Sequence, residues 1–374
     1  MKPKVLIFHP ALAPYRIDQF NNLQRLFNVH LVFVFDNVWN HRFDQKKLLS
    51  QLNCEYSFLL VGPRYKGRVF RFGILNTINR FKPDLIISYE YSIITFYLIL
   101  LRKLKLVKTP LASTIDDSID ICKNIQSKIR SLSRLFSLNN LDYLIVLSRE
   151  VAEYYQNTFS FPSSRIITSP ILQDENRIKA KKYELEVMAK VYQDKYELNN
   201  KKVLLFVGRL IKEKAVFNFI STIKQLLIKN NDLSVVIVGD GEEYECIQDY
   251  IRSFNLEQKV ILPGRYESVE LYAWYLTASA FFLPSTFEPF GAVVNEALIF
   301  GLPVFCSKYA GASSLINHNT GITYDPLDKI ETVERLDLFL EQVRIVSNID
   351  INLHQSLMEL SENNFESEWQ KFFN

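Results

Sequence analysis

Short runs of apolar residues recur along the chain, separated by longer stretches whose apolar positions fall three or four apart. In the first half the runs are KVLIF from Lys4, VHLVFVF from Val29, DLIIS from Asp84, TPLAST from Thr109 and LDYLIVLS from Leu141. Runs that are apolar throughout, not alternating, predict strands covered on both faces, and the 3.6-residue periodicity between them predicts helices. Strand and helix in alternation is the pattern of a parallel sheet wound with helices. The pattern restarts at KVLLFVGRL from Lys202 and continues through LSVVIVGDGEE, KVILPGRY, AFFLPS and LPVFCS. Two such series predict an α/β chain of two Rossmann-like, doubly wound domains. We place the first at residues 1–172 and the second at 201–350. A charged, helix-prone linker occupies 173–200, and a terminal helical segment occupies 351–374, anchored by Trp369, Phe372 and Phe373.

Composition agrees with two domains: 374 residues exceed what one core serves, and 48% hydrophobic with 23% charged residues exclude a disordered chain. The four cysteines are widely separated, which fits buried thiols in a reducing compartment and offers no zinc spacing. The longest apolar span, Tyr91 to Leu101, is too short for a bilayer, so a cytoplasmic protein without a transmembrane helix is expected.

The net charge of +3 hides an asymmetry. Residues 1–172 hold 23 Lys+Arg against 12 Asp+Glu, or +11, and the remainder holds 21 against 29, or −8. One half is therefore expected to face an anionic surface. Its basic residues cluster in RYKGRVFRF from Arg64 and in KNIQSKIRSLSRLF from Lys123. In the second cluster Ile125, Ile129, Leu132 and Phe136 recur at helical spacing. The helix is read with these toward the core and Lys128, Arg130 and Arg134 in solvent, contact with an anionic membrane being the alternative. No nucleic-acid motif accompanies the charge, so no nucleic-acid partner is expected.

Glycine usage locates the chemistry. Three of the 11 glycines lie in the first half, whereas Gly208, Gly239, Gly241 and Gly264 close strands of the second. Ligands of open α/β sheets bind at such carboxyl ends. In STFEPFGAVVNEALIFGLPVFCS, Ser285 to Ser307, a strand is followed by a loop and a helix whose first N–H groups belong near Gly291, Ala292 and Val293. Those donors attract an anion. Glu288 and Glu296 would repel one, so they suit sugar hydroxyls instead. Glu296 lies ~7 Å along the helix from Gly291, about the offset of a ribose from its phosphate. The alternative is that Glu288 complements the helix dipole and Glu296 is exposed. Arg209 and Lys214, in VGRLIKEK, follow a strand and are able to neutralise a diphosphate, or are surface charges.

VGRLIKEK, VGDGEE, PGRY, EPFGAVVNEAL, GLPVFCSKYAG and TGITYDPLD, in this order from about Lys201 to Asp328, resemble the nucleotide-binding half of family-four retaining glycosyltransferases of the GT-B fold. The resemblance implies two Rossmann-like domains facing across a cleft that holds a nucleotide-diphosphate sugar. It implies that Arg209 and Lys214 grip the diphosphate, Glu288 the donor sugar and Glu296 the ribose. The backbone of Phe290 and Gly291 would meet sugar hydroxyls and that of Ala292 and Val293 the phosphate, with Gly208, Gly239, Gly241 and Arg265 completing the donor side. HPALAPYRIDQFNNL resembles the first loop and helix of the family without its usual glycines, and makes Tyr15 and Arg16 acceptor candidates. His9, after the first strand, faces the cleft as a further candidate or caps a loop, and Glu90, after another strand end, binds an acceptor hydroxyl or makes a structural hydrogen bond. Where many members carry a histidine near the donor sugar, this chain has IDDS, so Asp116 or Asp117 fills that place or caps a helix. ESEWQKFFN resembles the last helix of the family, which returns to the first domain.

The expected reaction is front-face transfer of a hexose from a UDP- or GDP-sugar to a glycan or lipid-linked saccharide, as in surface polysaccharide synthesis. It needs no cofactor and no metal, because the cationic grip absorbs the charge of the leaving diphosphate. A nucleotide-sugar epimerase on the same fold, or a silent partner subunit that binds nucleotide sugar without turnover, are the alternatives.

Overall fold

The computed structural model describes all residues except 39–41, 66–67, 125–126, 347–348, 352–354, 359–361 and 374. The chain divides into two units, one of residues 1–173 with 360–374 and one of residues 174–359.

The first unit is built on strands β1 (Lys4–His9), β2 (Asn28–Phe33), β3 (Glu55–Phe58), a short hairpin of β4 (Arg64–Tyr65) and β5 (Arg68–Val69), then β6 (Leu85–Tyr89), β7 (Leu111–Ile115), β8 (Tyr143–Val146) and β9 (Ile166–Thr168). Seven of them form one sheet in the order β3-β2-β1-β6-β7-β8-β9, and every pairing in it is parallel. Chain order reverses between β1 and β6, so their carboxyl ends open a crevice. The apolar runs are central because both faces are covered: Leu6, Phe8, Val32, Leu111, Leu144 and Val146 are all inaccessible to solvent.

The second unit carries β10 (Lys202–Val207), β11 (Leu233–Val238), β12 (Val260–Gly264), β13 (Ala280–Leu283), β14 (Val304–Ser307) and β15 (Gly321–Tyr324), in the order β12-β11-β10-β13-β14-β15. This sheet is also parallel throughout, with its switch point between β10 and β13. The predicted α/β architecture of two doubly wound domains is the one observed. Helix Lys182–Lys195 packs in this unit, burying Leu185 and Ala189 and stacking Tyr192 on Trp274 with centroids 4.4 Å apart. Of the terminal segment, Ile351 packs in the core of the second unit, whereas the stretch from residue 360 belongs to the first: Trp369 Nε1 donates to Ser169 Oγ at 2.9 Å, and Phe372 meets Tyr143 edge-on at 4.9 Å.

One helix is turned the other way from its sequence reading. In Lys128–Leu138, Ile129 and Leu132 are each 67% exposed and Phe136 is 42% exposed, while Arg134 is buried. Ile125, read with them, lies outside the described residues. The cause is electrostatic. The buried carboxylate of Asp117 pairs with Arg130 and lies 3.8 Å from Arg134 Nη2, and the Arg134 guanidinium also sits over the rings of Tyr91, Tyr154, Tyr155 and Phe159. These contacts outweigh burial of the aliphatic stripe. In the other basic cluster Lys66 and Gly67 lie outside the described residues, and Arg71 donates to the carbonyls of Val34 and Leu60.

Candidate active site

In the second unit, three strand ends lie side by side: Gly208 N–H donates to the Val238 carbonyl and Gly239 N–H to the Gly264 carbonyl. A Cβ on Gly239 would come within 1.9 Å of the Gly208 carbonyl oxygen, so this close lateral approach requires glycine. Next to it, the turn Lys212–Lys214 ends in Ala215 at φ 51°, which sets the direction in which helix Val216–Lys229 departs.

The loop after β13 is fastened at two places. Thr286 N–H donates to the Glu213 carbonyl at 2.8 Å, tying the loop to the Lys212–Lys214 turn. Gly311 and Ala312, which follow β14, donate to the carbonyls of Glu288 and Phe290. Gly291 turns the chain with φ 96° into helix Val293–Ile299. This arrangement brings Lys214 and Glu288 together as an ion pair, both largely buried. The N–H groups of Gly291, Ala292 and Val293 donate to no acceptor among the described residues. Arg209 is exposed and has no ion pair among the described residues, whereas Arg265 is exposed and paired with Glu267. Asp240 caps its own turn by accepting from Gly241 N–H.

Glu296 is not exposed. It is 8% accessible, and its Oε2 accepts from the hydroxyl of Tyr275 at 2.7 Å. Burial, then the Glu296 charge, pushes the Tyr275 phenol well above its ordinary value, so it remains a donor. Tyr275 lies flat against Phe300, with centroids 5.5 Å apart and planes at 8°.

In the first unit, the crevice at the ends of β1, β6 and β7 gathers the other candidates. His9 closes β1, and its Nδ1 donates to the Ala11 carbonyl at 3.0 Å. Burial and the nearby Arg16 lower its pKa to about 4, so it is a neutral loop cap. Arg16 is buried, bonds Gln19 and pairs with Asp116, while Tyr15 is partly exposed beside it. Glu90 closes β6 with a left-handed backbone, φ 49°. Its carbonyl accepts from Thr95 and Ser113, and its Oε1 accepts from Asp116 N–H at 2.9 Å. Burial first, then Asp117 and Asp116, raises the Glu90 pKa to about 8. The Glu90 N–H also donates to the Thr114 carbonyl at 2.7 Å, and a non-glycine residue held in this backbone region by four hydrogen bonds marks an over-determined point of the fold.

The structure separates the two aspartates. The Asp116 side chain is 41% exposed, although its Oδ1 is shielded from solvent and has no partner among the described residues; Asp117 is almost fully buried between Arg130 and Arg134. Thus the six candidates of the first half lie at the carboxyl ends of β1, β6 and β7, while in the second half Lys214, Glu288 and Gly291 are brought together and Arg265 and Glu296 are engaged with Glu267 and Tyr275. Sequence reading missed Tyr275, Arg130 and Arg134 as partners of the acidic candidates. Tyr275 carries no signal because it sits in an apolar helix far from Glu296 in sequence, whereas the arginines were visible only as general basicity.

Residues 189–352 match the family of glycosyl transferases group 1. A 2-deoxystreptamine N-acetyl-D-glucosaminyltransferase of Niallia circulans is 36% identical over 136 residues, 36% of this chain and 35% of the relative. A glycogen synthase of Mycobacterium tuberculosis is 33% identical over 126 residues, 33% of this chain and 30% of the relative. The matched stretch thus spans about a third of these curated relatives. Similarity to solved structures runs the full length. A lipopolysaccharide outer core galactosyltransferase, WaaB, superposes with TM-score 0.65 at 20% identity, covering 98% of this chain and 99% of its own. Anabaena HepE in complex with UDP-glucose superposes with TM-score 0.69 at 17% identity, covering 98% and 99%. The chain therefore has the GT-B fold, and most of its second unit is similar to the glycosyl transferases group 1 family.

Proposed function

We propose that this protein is a retaining glycosyltransferase that moves a hexose from a UDP- or GDP-sugar to a glycan or lipid-linked saccharide. The observation that carries the reading is the fastened loop between β13 and helix Val293–Ile299. It sets a Lys214–Glu288 pair beside backbone N–H groups that have no acceptor among the described residues, at the switch point of a sheet whose strand β10 leads to an exposed Arg209 with no ion pair among the described residues.

On this reading the diphosphate enters between Arg209 and Lys214. Lys214 exchanges its carboxylate partner for phosphate oxygens, which frees Glu288 to accept hydroxyls of the donor sugar. Glu296, aimed by Tyr275, accepts from the ribose. Gly208, Gly239 and Gly241 let the phosphates approach backbone, and Arg265 borders the base side. The anomeric carbon–phosphate bond breaks while the acceptor oxygen bonds to the same face. The leaving phosphate oxygen takes the acceptor proton, so the products are a glycoside of unchanged anomeric configuration and a nucleoside diphosphate. Arg209, Lys214 and the N–H groups absorb the developing charge, which makes a metal unnecessary.

The first unit is assigned the acceptor, through Glu90, Tyr15 and Arg16. Of the two aspartates, Asp116 has the more accessible side chain and is assigned the substrate hydroxyl, and Asp117 positions the arginine helix. His9 holds the loop. The relatives and neighbours support a sugar donor: HepE is seen with UDP and UDP-glucose, and the S. aureus TarM variant with UDP. A lipid-linked acceptor and a place at the cytoplasmic face of a membrane, in surface polysaccharide synthesis, complete the proposal. The test is ¹H NMR of the first-formed sugar when the enzyme turns over an α-linked UDP- or GDP-hexose. The α-anomer is expected, and a β-anomer would overturn the retaining assignment.

A further inference from the structure

We propose that helices Ile93–Lys103 and Lys128–Leu138 of the first unit form a membrane-binding face that enters the headgroup layer of an anionic bilayer. It rests on this unit alone and does not depend on the transferase reading.

The geometry begins with the inverted helix. Arg130 and Arg134 point inward to Asp117, which forces the aliphatic stripe outward: Ile129, Leu132, Leu135 and Phe136 are 67%, 67%, 48% and 42% exposed. The neighbouring helix continues the same face with Tyr97 and Leu100, and Leu104 follows at its end, 39%, 50% and 59% exposed. The two join at Phe136, whose ring meets Phe96 at 5.6 Å and lies under Lys103 Nζ at 5.1 Å. A contiguous apolar patch of this kind is an interaction surface.

Charge chooses the occupant. Residues 93–110 and 123–141 hold eight Lys and Arg and no Asp or Glu. Three arginines are engaged with Asp117 and Asp142, which leaves Lys103, Lys105, Lys108, Lys123 and Lys128 exposed around the patch. Beside it, a hollow of about 500 Å³ is lined by Arg102, Lys103, Lys105, Lys108 and Arg165, against the single acid Asp142. Apolar centre, basic rim and a basic recess match the acyl boundary and phosphates of an anionic leaflet. A second copy of the chain would set lysines against lysines. No helix among the described residues is long and apolar enough to cross a membrane, so the attachment is to one leaflet.

The experiment is co-sedimentation with vesicles of phosphatidylcholine alone and of an equimolar mixture with phosphatidylglycerol, at low and high salt. The wild type is compared with Ile129→Ser/Leu132→Ser/Leu135→Ser and with Lys103→Glu/Lys128→Glu. These side chains are exposed, and unchanged thermal unfolding of each variant verifies the fold. Wild type is expected to pellet with the anionic vesicles, less so at high salt. The charge variant should lose about thirtyfold or more in partitioning, at roughly fivefold per lysine. The serine variant should lose at least tenfold. Wild type in the supernatant at low salt overturns the proposal, as does a serine variant that pellets like wild type. A wild type that elutes as a dimer without vesicles and binds none identifies a second copy as the occupant, and also overturns it.

Discussion

Changing Tyr275 to Phe removes a single oxygen and tests whether Glu296 is an aimed ligand or only a buried acid. The ring's contacts with Phe281 and Phe300 are kept, because Phe fills the same stacked position. What is lost is the 2.7 Å hydrogen bond to Glu296 Oε2, in a place where the two side chains have almost no access to water. A hydrogen bond to an ionised group is worth about 1.5–3 kcal/mol, and leaving the carboxylate without that donor places the loss in this range. The stability of the second unit should fall by about that amount in urea, with an unchanged slope. If the hydroxyl also holds Glu296 toward a ribose, nucleotide affinity measured by titration calorimetry should fall about tenfold, the equivalent of 1.4 kcal/mol. The donor KM should rise with it while kcat changes little, since ribose binding is equal in ground and transition states. A variant that loses stability but binds UDP and GDP like wild type would refute the aiming role and leave the pair as packing.

Removing either cation of the proposed diphosphate grip, by Arg209→Ala or Lys214→Ala, should lower transfer at least tenfold with the fold intact, as steady-state kinetics beside thermal unfolding will show. Asp116→Asn should lower kcat and also cost stability, because buried Arg16 loses its carboxylate partner, and Asp117→Asn, which strands both Arg130 and Arg134, should destabilise by about 3 kcal/mol or more in denaturant titration. Glu90, with a pKa raised to about 8, favours folding in its protonated form, so its contribution is complete below its unfolded value and is lost as pH rises through about 8. His9, with a pKa lowered to about 4, contributes fully above its ordinary 6.5 and loses this as pH falls through about 4. Between pH 6.5 and 8 only Glu90 of the two acts. Stability should there decline by at most about 1.4 kcal/mol per pH unit, and Glu90→Gln should flatten the decline in urea titrations at each pH. Transfer should survive EDTA, and loss on chelation restored by Mg²⁺ would show a metal at the leaving group.

The central strands were legible because they are covered on both faces and read as unbroken apolar runs, such as KVLIF and LSVVIV. β3, with sequence EYSF, was not, because it lies at the sheet edge with Glu55 and Tyr56 exposed and has no apolar run. β9 and β15 also lie at sheet edges and, at three and four residues, are too short to stand out as apolar runs, although Ile166 and Ile167 of β9 are buried. The glycine-closed strand ends and the Glu288–Glu296 spacing were readable as local features. The partner of each acid was not: Lys214 meets Glu288 across 74 positions and Tyr275 meets Glu296 across 21, so neither pairing has a local signature. The direction of helix Lys128–Leu138 was misread because its apolar periodicity is real, but its buried face is set by Asp117, which lies outside the helix.

The most direct measurement of the account is calorimetric titration of the wild-type chain with UDP- and GDP-sugars, UDP, GDP and the corresponding monophosphates, repeated on Lys214→Ala and Arg209→Ala. Binding of a diphosphate, weakened at least tenfold by loss of its β-phosphate and by each substitution, is the expected result. Absence of binding by every nucleotide, or binding that ignores both the β-phosphate and the two cations, would contradict a diphosphate site at the ends of β10 and β13.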